Sequence, residues 1–159
     1  MANWLDPVFD RTEADVNFAK EQIALWRNKL EPVSDSYALK GCLNISDINR
    51  IEENVQYLSD VLNELGYPQG AYTKRWGKDN LPNVGDVRRI LFNVELLLDA
   101  YYKTPGAPSV PGSMSAYTDI NAIEENLYNI KQLLDIMTAS FRKSGTFQSG
   151  SIRMLPIRR

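Results

Sequence analysis

The sequence predicts an all-α protein, a bundle of four main helices with long packed loops and an extended C-terminal arm. Apolar residues recur at alternating steps of three and four positions, which places them on one stripe of a helix. This pattern occurs four times in 159 residues, and each copy begins beside an aspartate. Connections rich in glycine, proline and aromatic residues separate the copies, and we expect them to pack on the bundle.

The second and fourth copies form an internal repeat. The stripe of the second copy consists of Ile48, Ile51, Val55, Leu58, Leu62 and Leu65. Adding 72 to each number gives Ile120, Ile123, Leu127, Ile130, Leu134 and Met137, which are also all apolar. The sequences SDINRIEEN and TDINAIEEN surround the two starts, so the similarity extends to the polar residues.

Two weaker copies follow the same frame. Their stripes are Val16, Ala19, Ile23, Trp26 and Leu30 in the first copy, and Val87, Ile90, Val94, Leu97 and Tyr101 in the third. The anchoring aspartates are Asp15, Asp47, Asp86 and Asp119, at spacings of 32, 39 and 33 residues. Each unit is therefore one helix with a connection, which favours a bundle with small crossing angles.

Capping signals mark the helix starts. Thr12, Asn44 and Asn83 each lie three positions before an anchoring aspartate. Their side chains can accept from a free backbone N–H of the first turn, and the aspartate can bond back. The fourth copy has Ala116 at this place, so we predict Thr118 as its cap.

These signals predict helices over residues 13–29, 45–65, 84–102 and 118–140. Gly66 followed by Pro68 ends the second helix, and Pro105 with Gly106 ends the third. We expect residues 1–140 to form the helical bundle domain and residues 141–159 to form the extended basic arm.

The third helix is apolar on more than one face. Phe92 and Leu96 lie off its stripe, and Leu91 and Leu98 widen it. Extra apolar faces usually mean burial, which favours the central helix of the domain. The alternative is a contact with another chain, and Phe92 and Leu96 are therefore candidate partner-binding residues.

The composition argues against catalysis. The chain has no histidine, which removes the usual base of Ser and Cys nucleophiles and the commonest neutral metal ligand. The adjacent acids Glu52–Glu53 and Glu124–Glu125 could act at a glycosidic bond, but we interpret them as solvated helix faces. Cys42 is interpreted as a small buried filler. We therefore predict no catalytic, cofactor or metal site, and expect a protein that is not an enzyme.

Polar residues beside the stripes have a structural interpretation. Asn54, Asn93 and Asn126 recur at one frame position, and we expect them to bond loop backbone. Basic residues surround Trp76, a pattern that can bind single-stranded nucleic acid by stacking and charge. We favour a loop that its tryptophan anchors, because the chain is acidic, with a net charge of −2 and a pI of about 5.2.

The C-terminal residues have a different charge from the rest of the chain. From Thr138 onward there are five basic residues and no acidic ones, whereas residues 1–137 carry 13 basic and 20 acidic residues, or −7. The segment also loses the helical period and alternates small, polar and apolar residues, as an extended arm would. We predict an assembly arm: Phe147, Ile152 and Leu155 fill pockets, while Arg153, Arg158 and Arg159 meet acidic surface on a partner or a sister copy. The competing interpretation is that the arm folds back onto its own acidic bundle.

Ordered segments along nearly the whole chain resemble a known module. They are residues 4–16 (WLDPVFDRTEADV), 39–41 (LKG), 47–54 (DINRIEEN), Trp76 with Pro82, 86–89 (DVRR), 108–114 (PSVPGSM) and 121–124 (NAIE). In this order they resemble a recurrent helical structural module of tail and baseplate-region proteins from phages and prophages of Gram-positive bacteria. The module has no sharp active-site motif.

The resemblance implies a virion structural protein, a tail- or baseplate-associated adaptor. Its partners would be other virion proteins and further copies of itself, without nucleic acid, membrane or cofactor. No apolar stretch of the sequence is long enough to cross a bilayer. The alternative is an intracellular helical regulatory module that binds a protein or nucleic-acid partner.

Overall fold

The computed structural model describes residues 2–29, 39–100 and 102–144. It contains four helices: α1 (Glu13–Lys29), α2 (Ile45–Glu64), α3 (Val84–Ala100) and α4 (Tyr117–Ser144). The prediction of an all-α bundle with four main helices is confirmed. Over the described residues the only β-pairing is an isolated bridge between Gly77 and Asn80.

The helix boundaries agree with the sequence patterns to within one residue except at the ends of α3 and α4. The described part of α3 ends at Ala100, and Tyr102, the last residue of its predicted span, is not helical. Helix α4 continues through Ser144, so the predicted end at 140 is wrong, and four residues assigned to the arm are helical. The predicted partner-binding residues Phe147, Ile152, Arg153, Leu155, Arg158 and Arg159 lie outside the described residues. Their part of the arm prediction stays a prediction.

Aspartates close the first turn of each helix. The Asp47 carboxylate accepts from the backbone N–H of Asn44 at 3.0 Å, and Asp86 accepts from that of Asn83 at 3.1 Å. In α4 the residue at this place is Ala116, whose N–H donates to Asp119 at 3.1 Å. The prediction of Thr118 as the cap is therefore wrong, because the aspartate alone caps the backbone there, whatever the side chain at position 116.

The core belongs to α2, α3 and α4, each of which packs on the other two. The two strong stripes and the described part of the third line it, together with Leu91, Leu98 and Trp76. None of the described residues of the first stripe belongs to this cluster: Ala19 is buried, but Trp26 is 46% exposed, and Leu30 lies outside the described residues. The bundle is thus a three-helix core with α1 at its periphery.

The three core helices run parallel to one another. Arg50, near the start of α2, contacts Glu124 near the start of α4, and Arg89, near the start of α3, contacts Glu52 of α2. The three N-termini therefore lie at one end of the bundle. Since each connection must return along the full length of a helix, the long connections in the sequence follow from this arrangement.

Extended segments, which we call straps, make these return passages. The first strap (residues 2–11) runs along α2 and α4, the second (69–76) along α2 and α3, and the third (107–115) begins on α4. Gly66, at φ +88°, turns the chain out of α2, and the backbone N–H of Tyr67 bonds back to Leu62 at 2.9 Å. Val110 and Met114 of the third strap pack on the core.

Candidate functional site

Glu124 lies at the centre of a buried cluster of charges. Arg50 contacts it at two points, with Nε–Oε2 2.9 Å and Nη2–Oε1 2.7 Å. Arg11 of the first strap donates to its Oε1 at 3.1 Å, and the backbone N–H of Val8 donates to its Oε2 at 2.6 Å. Both arginines also contact Asp47 Oδ1, at 3.0 and 2.7 Å. Two cations and two anions therefore neutralise one another where α2, α4 and the first strap meet.

Glu52 forms a second cluster between α2 and α3. Arg89 pairs with both of its carboxylate oxygens, and the Nη1–Oε2 distance is 3.0 Å. The indole N–H of Trp76 donates to Oε1 at 2.9 Å. Arg89 also donates to the carbonyl of Tyr72 at 2.6 Å, so the pair holds the second strap in place.

These two glutamates correct the sequence interpretation. Glu52 is 3% exposed and Glu124 is fully buried, so the prediction of solvated faces is wrong for both. Their neighbours Glu53 and Glu125 are partly exposed. The period of the stripe places Glu52 and Glu124 beside it, and the straps then cover that flank. Because each carboxylate is held by an arginine at two points, it accepts hydrogen bonds in a fixed geometry.

The two ion pairs occupy equivalent frame positions. Arg50 and Arg89 lie 39 residues apart, as the aspartates Asp47 and Asp86 do, and Glu52 and Glu124 are 72 apart. In both pairs an arginine of one helix meets a glutamate of a neighbouring helix, Arg50 of α2 with Glu124 of α4 and Arg89 of α3 with Glu52 of α2. At the remaining pair of helices, α3 and α4, the residues equivalent to the glutamate and the arginine are Leu91 and Ala122. The three core helices therefore have an approximate threefold arrangement in which the third equivalent pair of residues is apolar and not ionic.

The recurrent asparagines bind strap backbone, which confirms their prediction. Asn54 bonds both the N–H and the carbonyl of Leu5, each at 2.8 Å. Asn93 donates to the Tyr72 carbonyl at 2.8 Å, and Asn126 to the Pro108 carbonyl at 3.0 Å. The Asn126 Oδ1 atom is buried without a partner. The reason is local: proline has no N–H to donate.

A second pair of asparagines was missed by sequence reasoning. Asn49 bonds the Trp76 backbone, accepting at 2.8 Å and donating at 3.0 Å. Its repeat equivalent Asn121 bonds the Arg11 backbone at 3.3 and 2.9 Å in the same way. Both asparagines occur at the same place in the internal repeat, in SDINRIEEN and TDINAIEEN. An identical polar residue in both copies is the signal that could have predicted a shared contact.

The Trp76 loop is anchored by its tryptophan, as predicted. Trp76 is buried in the core, so its ring is not available to stack on a base. Lys74 pairs with Asp86 at 2.6 Å and its ammonium lies 5.6 Å from the Trp76 ring centre. Tyr72 of the same loop departs from the expected packing, since its ring is exposed.

The outer face of α3 combines apolar and acidic residues. Phe92 is 60% exposed and Leu96 is partly buried, whereas Leu91 and Leu98 face the core. Glu95 and Asp99, one turn and two turns beyond Phe92, are exposed on the same side. Leu91 and Leu98 are buried in the core, but the central-helix interpretation is wrong, because α2, α3 and α4 each pack on the other two. A contact with another chain through Phe92 and Leu96 stays a prediction. We call Phe92, Glu95, Leu96 and Asp99 the α3 face.

Other candidate sites have little chemistry. An open cleft of about 450 Å³ lies over α2 between the first two straps, lined by polar residues and Leu5. Cys42 is partly buried, and burial together with Asp47 raises the pKa of its thiol. Among the residues described, no group of three or more acidic or cysteine side chains is arranged to hold a metal ion.

No helix in the described part of the chain has both the length and the apolar character needed to cross a membrane. Comparison with known proteins identifies no matching family model, curated protein or solved structure.

Proposed function

We propose that this chain is a structural component of a phage or phage-like particle, an adaptor of the tail or baseplate region that binds other virion proteins. The resemblance of the ordered sequence segments carries the proposal. On this view the protein works as a rigid body with binding surfaces, and it catalyses no reaction.

The buried charges support a scaffold. Glu52 and Glu124 each pair with arginine and also hold strap backbone or a strap side chain. Moving either glutamate away from its arginine would leave arginine charge in the packed bundle without its counter-ion, which is strongly unfavourable. These two acids are therefore suited to fix the straps on the helices and unsuited to acid–base chemistry.

The strap architecture supports the same proposal. Residues distant in sequence meet at the clusters, because Arg11, Asp47 and Glu124 come from the first strap, α2 and α4. Such a long-range polar network holds the first strap, α2 and α4 in one arrangement. An adaptor that keeps neighbouring proteins of a particle at fixed positions needs a body of that kind.

Particle fractionation tests the proposal. An antibody against the chain is used on lysate of the producing bacterium after phage or prophage induction, separated on a density gradient. We expect the chain to sediment with particles, and immunogold electron microscopy to place the label at the tail or baseplate. A chain that remains at the top of the gradient, with no label on particles, contradicts the proposal and supports an intracellular regulatory module.

A further inference from the structure

We propose that the α3 face binds residues 145–159 of a neighbouring copy of this chain. The inference rests on the proposed function, in which the protein assembles through its surfaces, and it names the receiving surface and its occupant. The face supplies an exposed aromatic ring, a partly buried leucine and two carboxylates. The segment supplies apolar residues and three arginines.

The face lacks a partner within the described bundle although it is apolar at its centre. Phe92 projects from the side of α3 that does not pack on α2 or α4, next to the partly buried Leu96. An exposed phenylalanine beside further apolar surface is typical of a contact site. Glu95 and Asp99 border the apolar centre toward the C-terminal end of α3, and the exposed Arg88 lies one turn before Phe92. A suitable occupant is therefore apolar and places its basic residues at the C-terminal end of the face.

Residues 145–159 have this composition. They contain Phe147, Ile152 and Leu155 among small residues, and Arg153, Arg158 and Arg159 without any acidic side chain. Residues 1–137 carry −7, so the charge of the segment is opposite to that of the body. Arginine pairs with carboxylates at two points, which suits a segment held against Glu95 and Asp99.

The length of α4 favours a neighbouring copy over the same chain. The core helices start at one level, and α4 has 28 residues against 17 in α3. Ser144 therefore lies roughly 28 Å along the bundle axis from Phe92, at 1.5 Å per residue. Phe147 is three residues beyond Ser144 and can reach only about 10 Å from it. Binding within one chain could bring only Ile152 and the residues after it to the α3 face and would leave Phe147 out. A neighbouring copy can present the whole segment, which is why we assign the occupant to it.

Sedimentation velocity on the full-length chain tests the inference. We expect a concentration-dependent oligomer that dissociates when a synthetic peptide of residues 145–159 is added in excess. Glu95→Lys with Asp99→Lys should weaken self-association at least tenfold, and so should a second variant in which Arg153, Arg158 and Arg159 are all changed to Glu. Higher salt should weaken it in the unmodified chain.

A mixture of the two charge-reversed chains gives the sharpest result. Each variant alone should be monomeric, and the mixture should regain the oligomer, since each reversed surface then meets an opposite charge. Ile136→Ser is the matched control, because Ile136 is 64% exposed on α4, away from the face, and this change should leave the oligomer intact. Far-UV circular dichroism and thermal melts check that every variant is folded.

The possible outcomes separate this inference from the proposed function. A monomeric full-length chain at all concentrations, or an oligomer that persists in the Glu95→Lys and Asp99→Lys variant, overturns the inference. If that variant does not fold, Phe92→Ser alone replaces it, since a side chain so exposed contributes little to the core. Sedimentation of the chain with particles is measured independently, so the inference can fail while the proposed function stands.

Discussion

Arg50 of α2 holds the buried Glu124 of α4 through two hydrogen bonds, of 2.9 and 2.7 Å, and is itself only partly exposed. The pair joins two copies of the internal repeat, and it fixes the parallel direction of their helices. The first strap closes over it, because Val8 and Arg11 bond the same carboxylate.

The first prediction is that Glu124→Gln strongly destabilises the protein. The amide keeps the shape of the side chain but removes the charge that neutralises Arg50 and Arg11. We expect a loss of about 3–5 kcal/mol in the free energy of unfolding, the cost of breaking a buried ion pair. Glu125→Gln, at the partly exposed neighbour, should change it by less than about 0.5 kcal/mol. Urea melts measure both, and equal effects would show that the buried pair has no special role.

The second prediction concerns coupling between Glu52 and Arg89. Glu52→Leu leaves Arg89 without its counter-ion, and Arg89→Ala leaves Glu52 without its own. The double variant leaves neither charge buried, as is already the case at Leu91 and Ala122, the equivalent residues of α3 and α4. We expect it to cost at least about 1 kcal/mol less than the sum of the single changes in a double-mutant cycle. Additive effects would mean that the two side chains act independently.

The third prediction concerns the core stripe of α4. Ile130→Ala removes buried methyl groups and should cost roughly 2–5 kcal/mol of unfolding free energy, as should Leu58→Ala in α2. Ile136→Ala on the same helix is exposed and should cost less than about 0.5 kcal/mol. Chemical denaturation of the three variants gives the comparison. A similar cost at positions 130 and 136 would contradict the assignment of the buried face.

Sequence reasoning located the helices because their signals are local. The three-four stripe places Ile51 and Ile123 in the core, and Asp47 or Asp86 caps the next turn, whatever the neighbouring helices do. The asparagine contacts were also predictable, since Asn54 and Asn126 share one frame position. In each case the position of the side chain on its own helix is enough to predict its contact, without knowledge of the neighbouring helices.

The burial of Glu52 and Glu124 could not be predicted in this way. Whether a flanking glutamate is solvated depends on which helix lies beside it, in which direction that helix runs, and whether a strap covers the gap. A partial signal exists, because Arg89 lies 39 residues after Arg50, as Asn93 lies 39 after Asn54. That spacing indicates a shared role for the arginines, but only the parallel packing of the helices reveals their glutamate partners.

The fourth prediction is loss of stability in acid. The hydrogen bond from Lys74 and the backbone N–H of Asn83 lower the pKa of Asp86 below its usual 3.8. Since the folded pKa is the lower one, this contribution is complete above the unfolded pKa and is lost as pH falls through the folded value. Unfolding free energy should therefore decline below about pH 4. Asp86→Asn should decline less steeply, and the exposed Asp79→Asn should follow the unmodified chain; identical slopes would exclude a role for Asp86.

The last prediction uses the unpartnered oxygen of Asn126. At the equivalent position Asn54 bonds both the N–H and the carbonyl of Leu5, whereas Pro108 offers Asn126 a carbonyl alone. Pro108→Ala supplies the missing N–H to a buried acceptor, a gain of about 1–3 kcal/mol. It also frees the unfolded chain, at a cost of about 0.4–1 kcal/mol. We therefore expect a small net gain in unfolding free energy.

The reciprocal change sharpens this test. Leu5→Pro removes the backbone N–H that donates to the Asn54 Oδ1 atom. It should destabilise the protein by at least about 1 kcal/mol, because that oxygen is then left without a donor, as the Asn126 Oδ1 atom is in the unmodified chain. Pro105→Ala, at an exposed turn, is the control for loss of proline alone and should lower stability slightly. Equilibrium denaturation of the three variants decides the matter. If Pro108→Ala lowers stability as much as Pro105→Ala does, the Asn126 oxygen gains nothing from a backbone donor, and the strap at Pro108 is held in a geometry that Leu5 does not share.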